Sequence, residues 1–534
     1  MALNALQISA QVTADKPDQL AKQIKQHIRD KRFTLADSLI QELPTKAGQH
    51  STSYYSNIQN LLKAELNRAK GNFTEAGNIL NKIQIRLAKD KAITAEYYYI
   101  KSKLAGNPRS AKNLINKGIE AKQEIPVTGL TDLSHFYNSL GVYYQQMYGI
   151  DSAKHYYKLA IKTAQEREQK PVYHKDIALF YQNLALPYAM SQDYQIARKH
   201  LFKSVNILNQ IEAKRSDDLA RNYLNIGRIY LLTGSLDSAT YYYNRVLKIR
   251  ESSSQKMPSK LAIVYNNLGE LQTSKNNMAK ARIYFQKAKQ LYEKANTNTD
   301  QQLHQLNLNL GYTYSNQEEY EQAVNYFKKA IQSTDEITIG KAYRNLADCY
   351  VETDKPDSAN YYFKKAINRF KQSKSRGRYD LALTYLYYGN FLLELQKHDA
   401  LEYLNMGKDI LVKIFGEFHR DVARANSFIA KYYLKNKDYE KALAYAQEAI
   451  TSSINDFDNT NPEANPKTEK FGNKSHLITP VSLKGKIYFQ RGKENNSTED
   501  LEKSLKAFEI AIEIINRIRI NYTYESNKLM ITER

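Results

Sequence analysis

The sequence contains no tryptophan and a single cysteine, Cys349. An intrachain disulfide is therefore excluded, and a disulfide-stapled fold with it. Glycine (20) and proline (11) are scarce among 534 residues. A chain poor in both, and rich in Ala, Leu, Lys, Gln and Tyr, favours long helices joined by short turns. No stretch alternates β-branched residues as a sheet strand would, and no apolar run reaches the roughly 18 residues of a membrane span. The opening MALNALQISAQVTA lacks a basic leader and a full-length apolar run, so it is no complete signal peptide. A trimmed remnant ending near Ser9-Ala10-Gln11 stays open.

Catalytic signatures are missing as well. There is no GxxxxGK[ST] loop, no GxGxxG after a strand and no GxSxG elbow. His135, His155, His174, His200 and His304 share no metal-binding spacing such as HExxH, and read as surface or groove lining. Cys349 falls inside a helix predicted to be buried and reads as a small packing group. The chain is expected to be no enzyme and to need no cofactor or metal.

What is present is 42% apolar residues, 43 tyrosines and a net charge of +22. The basic residues read as dispersed, as at Lys328-Lys329 and Lys364-Lys365. The densest cluster, Arg369 to Arg378 (RFKQSKSRGR), reads as a solvated loop between helices, with a phosphate or acidic-peptide contact as the alternative.

The dominant signal is an internal repeat. Four segments show it: Tyr137–Tyr144, Tyr223–Tyr230, Tyr265–Gln272 and Tyr343–Tyr350. Each has an aromatic, an aliphatic three residues on, then a small residue. Twelve residues past the small one stands Ala153, Ala239, Ala281 or Ala359. A ring follows four later (Tyr157, Tyr243, Phe285, Phe363), and Ala160, Val246, Ala288 or Ala366 three after that. Offsets of three, four and seven stay on one helix face, so each copy is a pair of helices separated by a turn such as Ser191–Tyr194 or Thr233–Ser238. Small residues let the backbones approach where the helices cross, and rings fill the gaps. One hairpin cannot bury its own face, so neighbours must stack.

This pattern resembles the tetratricopeptide-repeat (TPR) family. The small residue recurs at Gly141, Ala185, Gly227, Gly269, Gly311, Ala347, Gly389, Ala430 and Gly485, with weaker copies at Ile24/Ala36, Ala64/Ala76 and Tyr99/Ala111. The resemblance implies an all-α, right-handed superhelix of about twelve hairpins. The step is usually 41 to 44 residues, longer than the roughly 34 of the commonest TPR. That step, and the linker Phe415–Ala423, are similar to the long-repeat subgroup that includes kinesin light chains. Pro17, Pro258 and Pro480 sit at expected helix starts, whereas Pro187 is predicted to kink a helix. The expected division is degenerate repeats and a cap over 1–125, regular repeats over 126–456, a polar loop over 457–477, and a last hairpin with a connecting helix over 478–534.

One periodic feature is not needed for packing. Two residues before the small position stand Asn183, Asn225, Asn267 and Asn309 at intervals of 42, followed by Asn345. The resemblance places this position on the concave wall, where a carboxamide ladder could hydrogen-bond an extended peptide backbone. The alternative is polar packing between helices. Arg228, Lys341 and Arg344 are expected on the same wall and would favour an acidic ligand or a C-terminal carboxylate.

After Ile450 the regularity breaks. The stretch with Asn465-Pro466, Leu483-Lys484, Asp500-Leu501, Phe508, Ala511, Ile515, Arg519, Tyr522, Glu525, Ser526, Lys528 and Leu529 is similar to the junction of bacterial TPR–CHAT proteins, in which a caspase-like protease domain follows the repeats. Gly485 departs from the usual Ala there. The resemblance implies a bacterial, cytoplasmic sensor or regulatory region, with a CHAT domain as a partner in cis; export stays open. The leading expectation is a non-catalytic scaffold binding a protein or peptide. The alternatives are a basic solenoid for nucleic acid, disfavoured by the dispersed charge, and the sensor region of another bacterial signalling protein.

Overall fold

The computed structural model describes residues 17–46, 52–83, 90–125, 130–166, 174–211, 217–252, 257–295, 299–454, 457, 459–466 and 475–532. The Ser9-Ala10-Gln11 segment lies outside them. The described residues form helices and no strand. They pair as twelve hairpins: α1 (Pro17–Arg29) with α2 (Phe33–Lys46), α3 (Thr52–Lys70) with α4 (Phe73–Asn81), α5 (Lys91–Lys103) with α6 (Pro108–Gln123), and α7 (Leu133–Gln146) with α8 (Ile150–Gln165). Next come α9 (His174–Met190) with α10 (Tyr194–Gln210), α11 (Asp217–Leu232) with α12 (Leu236–Glu251), α13 (Pro258–Ser274) with α14 (Met278–Glu293), and α15 (Asp300–Ser315) with α16 (Tyr320–Ala330). The series closes with α17 (Glu336–Glu352) and α18 (Pro356–Gln372), α19 (Arg378–Glu394) and α20 (Ala400–Phe415), α21 (Arg420–Lys435) and α22 (Tyr439–Thr451), and α23 (Ile478–Asn495) and α24 (Thr498–Thr532). The fold is all-α, with the number of hairpins expected from the repeat.

Two compact units divide the chain, Met1–Leu184 and Ala185–Arg534. The division falls within α9, which runs on as helix through Pro187.

The repeat spacing has a direct steric cause. A Cβ added at Gly269 would come within 2.4 Å of the Phe285 ring, and one at Gly311 within 2.5 Å of Phe327. The second helix thus lays its ring against bare backbone of the first, burying Phe285 and Phe327 almost completely. Seven residues past the small position the chain turns through a left-handed residue: Gln192 (φ 64°), Gly234 (78°), Asn276 (56°), Glu318 (61°), Asp354 (53°), Gln396 (54°) and Lys437 (61°). The next N–H returns to the carbonyl five residues back, as in Asn277 N to Gln272 O at 2.8 Å and Lys355 N to Tyr350 O at 2.8 Å. This is the Schellman closure of a helix end. In the last hairpin the turn is longer and its left-handed residue is Asn496 (52°).

The tyrosines follow the same register. Tyr144–Tyr156, Tyr230–Tyr242, Tyr314–Tyr326, Tyr350–Tyr362 and Tyr433–Tyr445 stack with centroids 5.3–5.6 Å apart and planes within 14°. A cation from the preceding hairpin covers several of them: Lys112 over Tyr144 (5.1 Å), Arg198 over Tyr230 (5.0 Å) and Arg282 over Tyr314 (4.7 Å). Such half-buried offset stacks with a cation on the outer face add about 1–2 kcal/mol each beyond area burial. The pairs are always twelve residues apart, a spacing visible in the sequence.

First helices touch one another, α1 with α3 and α3 with α5 in the first unit and each with the next from α11 to α23 in the second, in addition to the contacts with their second helices; no pair of consecutive second helices packs to this extent. The first helices therefore form the inner row of each unit's curve and the second helices the outer row. Within the second unit the last helix α24 also lies against α12.

Candidate functional site

The inner row of the first unit is filled by its own ionisable side chains. Lys25 of α1, fully buried, bonds Glu96 of α5 and the hydroxyl of Thr131. Glu65 of α3 takes a bidentate pair of bonds from Arg68, both 2.8 Å. His135 of α7 sits 3.0 Å from Asp176 of α9, and Arg29 of α1 reaches the same carboxylate at 3.3 Å. Lys175 reaches Asp30 at 3.0 Å. Four inner helices, α1, α5, α7 and α9, are thus tied across up to 147 residues of sequence, while the Glu65–Arg68 pair stays within α3. Burial lowers the Lys25 pKa against the opposing pull of Glu96 and Glu65. Burial works against the charge of Asp176, but His135, Arg29 and Lys175 hold its carboxyl down to about 2. Expected on a surface or in a groove, His135 is instead buried inside this network, edge-on to Phe180.

The inner row of the second unit is different. Asn225, Asn267, Asn309 and Asn345 lie on α11, α13, α15 and α17, all half-buried; Asn183 belongs to the first unit. Asn309 Nδ2 donates to Asn266 Oδ1 of the preceding hairpin at 2.8 Å, and Asn266 donates to Glu270 at 2.9 Å. Asn183 makes the equivalent bond to Asn138 at 2.8 Å. Asn267 bonds back to the Ile263 carbonyl at 2.7 Å. Asn225 and Asn345 have no hydrogen-bond partner among the described residues. Past Asn345 the same position is taken by Tyr387 and Phe428, whose rings meet edge to face at 6.3 Å.

Of the expected cations, Arg228 is exposed on α11. Lys341 and Arg344 face Asp380 of α19 at 3.6 and 3.7 Å, too long for hydrogen bonds, and Arg344 Nη1 is buried without one. Arg344 also lies over the Tyr387 ring at 5.9 Å. One turn on, the Asp348 carboxyl is pushed up to about 6 by burial, with Arg344 opposing and Glu352 reinforcing. The spacing of the repeat gave no sign of Asp348; its place one residue past the small position was the available clue.

Cys349 is buried, with Sγ 3.8 Å from Ser315 Oγ, and burial pushes its thiol up to about 11. Such a thiol is a poor nucleophile near neutral pH. Among the described residues no three His, Cys, Asp or Glu gather as metal ligands, and no helix is long and apolar enough to cross a membrane. In the basic segment 369–378, Arg369 bonds Glu336 at 3.1 and 3.2 Å and Arg376 approaches Asp335 at 3.4 Å, so two of its charges are matched. The loop after α22 is held by buried Lys484, which donates to Gln447 Oε1 (3.0 Å), the Ala464 carbonyl (2.9 Å) and Asn465 Oδ1 (3.0 Å).

A stack of helical hairpins with one inner and one outer row defines an α-solenoid. The tetratricopeptide repeat family model matches this chain four times, over residues 176–252, 260–336, 304–372 and 380–453, and the chain is a tetratricopeptide-repeat protein. No curated protein matches the sequence. Among solved structures, the apo form of the quorum sensor NprR from B. thuringiensis is 15% identical with a TM-score of 0.50, the match covering 66% of this chain and 97% of that one. The apo form of RapI is 17% identical with a TM-score of 0.48, covering 67% and 98%. A Rap protein complexed with competence and sporulation factor is 14% identical with a TM-score of 0.47, covering 80% and 99%. NprR supports the solenoid fold.

Proposed function

We propose that the chain is a non-catalytic scaffold whose second unit receives an extended peptide along its inner row. The observation that carries this reading is the pair Asn225 and Asn345, half-buried carboxamides with no hydrogen-bond partner among the described residues, on the wall where Asn267 and Asn309 also lie. Half-buried amides favour a partner, and a peptide backbone supplies alternating donors and acceptors. Lys341 and Arg344 would draw an acidic side chain or terminal carboxylate, in competition with Asp380. Regulation is part of the same proposal: a guest that prefers one superhelical pitch would bias it, and the C-terminal helix α24, which lies against α12 of the Asn225 hairpin, would take up the change. A CHAT-type protease in cis is the receiver we infer, supported by the joining of Asn465 to Lys484 and by the bidentate Arg491–Asp500 pair at 2.8 and 2.7 Å. A cytoplasmic, bacterial setting goes with that reading.

The test is a peptide selected from a displayed library on the full chain, then titrated against the Asn225→Ala/Asn267→Ala/Asn309→Ala variant. A loss of roughly 10- to 100-fold is expected from about 1 kcal/mol per hydrogen bond. Unchanged affinity rejects the ladder.

A further inference from the structure

Read residue by residue, the positive charge appears scattered; the hairpin register gathers it. Three of the five outer helices are strongly basic: α10 carries Arg198, Lys199 and Lys203 with no acid, α14 carries Lys280, Arg282, Lys287 and Lys289 against Glu293, and α18 carries Lys364, Lys365, Arg369 and Lys371 against Asp357; α12 and α16 each carry one net positive charge. The inner helices between them are near neutral, with Lys260 against Glu270 in α13 and Asp300 alone in α15. Eighteen residues past the small position stand Lys203, Arg245, Lys287, Lys329 and Lys365, one per outer helix in five successive hairpins, all exposed. Arg245, Lys287, Lys329 and Lys365 have no carboxylate partner among the described residues. Arg245 stays exposed although α24 lies against its helix.

A ring accompanies each of these four. Arg245 lies over Tyr223 (4.8 Å) and Tyr241 (5.6 Å), Lys287 over Tyr265 (5.6 Å), Lys329 over Tyr326 (5.0 Å), and Lys365 over Tyr343 (5.5 Å) and Tyr361 (4.6 Å). Tyr361 and Ile283 beside the row are each 52% exposed.

We infer that this outer row is a binding track for single-stranded nucleic acid. Successive outer helices are separated by at least one helix diameter, roughly 8–10 Å, too far for one phosphate or carboxylate to bridge two rungs. The ligand is therefore an extended polyanion. A line of cations on the outside of a curve meets a linear chain along its length, whereas a flat lipid surface would meet few rungs. Tyr223 and Tyr343 are buried, but exposed Tyr361 and half-buried Tyr241, Tyr265 and Tyr326 favour nucleic acid over an acidic protein segment, because bases stack on aromatic faces and carboxylates do not. No base-reading pattern repeats with the rungs, so the track reads backbone and stacking.

The experiment titrates a fluorescein-labelled 20-nucleotide single-stranded RNA against the full chain by anisotropy over a salt series. Parallel arms use a polyglutamate of equal charge and phosphatidylserine vesicles. Five phosphate contacts predict a log–log salt slope near −3.5, from about −0.7 per contact. Reversing Arg245, Lys287, Lys329 and Lys365 to Glu should remove about 3 units of that slope. Reversing four exposed cations off the row, Lys82, Lys117, Lys413 and Lys506, should leave most of it. Tyr361→Ala should weaken RNA binding about fivefold or more, by loss of stacking, without changing polyglutamate binding. The inference is overturned if the unaltered chain does not bind RNA, if both charge sets lose it equally, if polyglutamate binds as tightly as RNA, or if only the vesicles bind. Peptide binding in the inner row is measured on the same variants, so a failure here is distinguishable from a failure of the ladder.

Discussion

The two units solve the same problem, an inner row lined with polar side chains, in opposite ways. In the first, α1, α5, α7 and α9 close the interior with the ion pairs Lys25 to Glu96 and Arg29 to Asp176 and with the contact of His135 to Asp176. In the second, carboxamides and a few widely spaced charges line the wall, and ion pairs there reach only to the next hairpin, as from Lys341 and Arg344 to Asp380. A network that satisfies itself has no capacity left for a guest; a wall of half-satisfied amides does. On the function proposed above, the first interior supplies stability and the second supplies recognition.

The comparison is broken most severely at Lys25. Lys25→Met leaves Glu96 buried and unpaired, and should destabilise the first unit by about 3–5 kcal/mol. Hydrogen exchange should then rise in α1, α3 and α5 while α13 and α15 keep their protection; uniform loss in both would show that the units unfold as one. Adding Glu96→Leu should recover much of the loss, since a well-packed apolar pair can replace a buried ion pair.

Next in size is a change to the packing shared by all regular copies. Gly269→Ala forces a methyl group against Phe285, and overpacking of this kind costs about 1–3 kcal/mol. Denaturant unfolding of the variant should show the loss, and Gly269→Ala combined with Phe285→Leu should show less.

A pH series sharpens the contrast, because the two interiors move a carboxylate in opposite directions. Asp176 has its pKa depressed to about 2, so its contribution is present above the unfolded value near 4 and is lost as pH falls toward 2. Asp176→Asn should therefore destabilise at pH 7, by about 1–2 kcal/mol, and the deficit should shrink below pH 3. Asp348 has its pKa raised to about 6. Its folded form holds a proton that the unfolded chain releases, so stability falls as pH rises from about 4 to 6 and stays lower above that. Asp348→Asn should raise the melting temperature above pH 6 and leave it unchanged below pH 4. Melting curves of both variants across pH 3–8 give the two signs together.

The smallest effect is expected in the turns. Glu318 holds φ at 61°, where a side chain costs roughly 1 kcal/mol, so Glu318→Gly should stabilise its hairpin by under 1 kcal/mol once the added unfolded-state freedom of glycine is offset. The equivalent Gly234 already has this form, and Gly234→Ala should act in reverse. Chemical denaturation resolves both.

Much of this molecule could be read before any coordinate. The spacing of Gly269, Ala281 and Phe285 dictates a hairpin because each contact lies within one pair of helices. Cys349 was legible as a packing group for the same reason. Asn225, Asn267, Asn309 and Asn345 could be placed on one helix face but not assigned their bonds; that Asn309 bonds Asn266 while Asn267 turns back to Ile263 depends on side-chain rotation the repeat does not encode. The tyrosine stacks went unread although their twelve-residue spacing was on view, because each Tyr alone looks like an ordinary core residue.

The sequence alone determined the hairpins, their turns and their number, since these rest on contacts between residues no more than about twenty apart whose offsets repeat. The tertiary structure decided which distant charges meet and which remain unpaired: Lys25 with Glu96, Arg29 with Asp176, and the open row from Arg245 to Lys365. Those outcomes depend on how each small rotation between hairpins accumulates into curvature, and the accumulated angle is a property of the packed stack and of no single repeat.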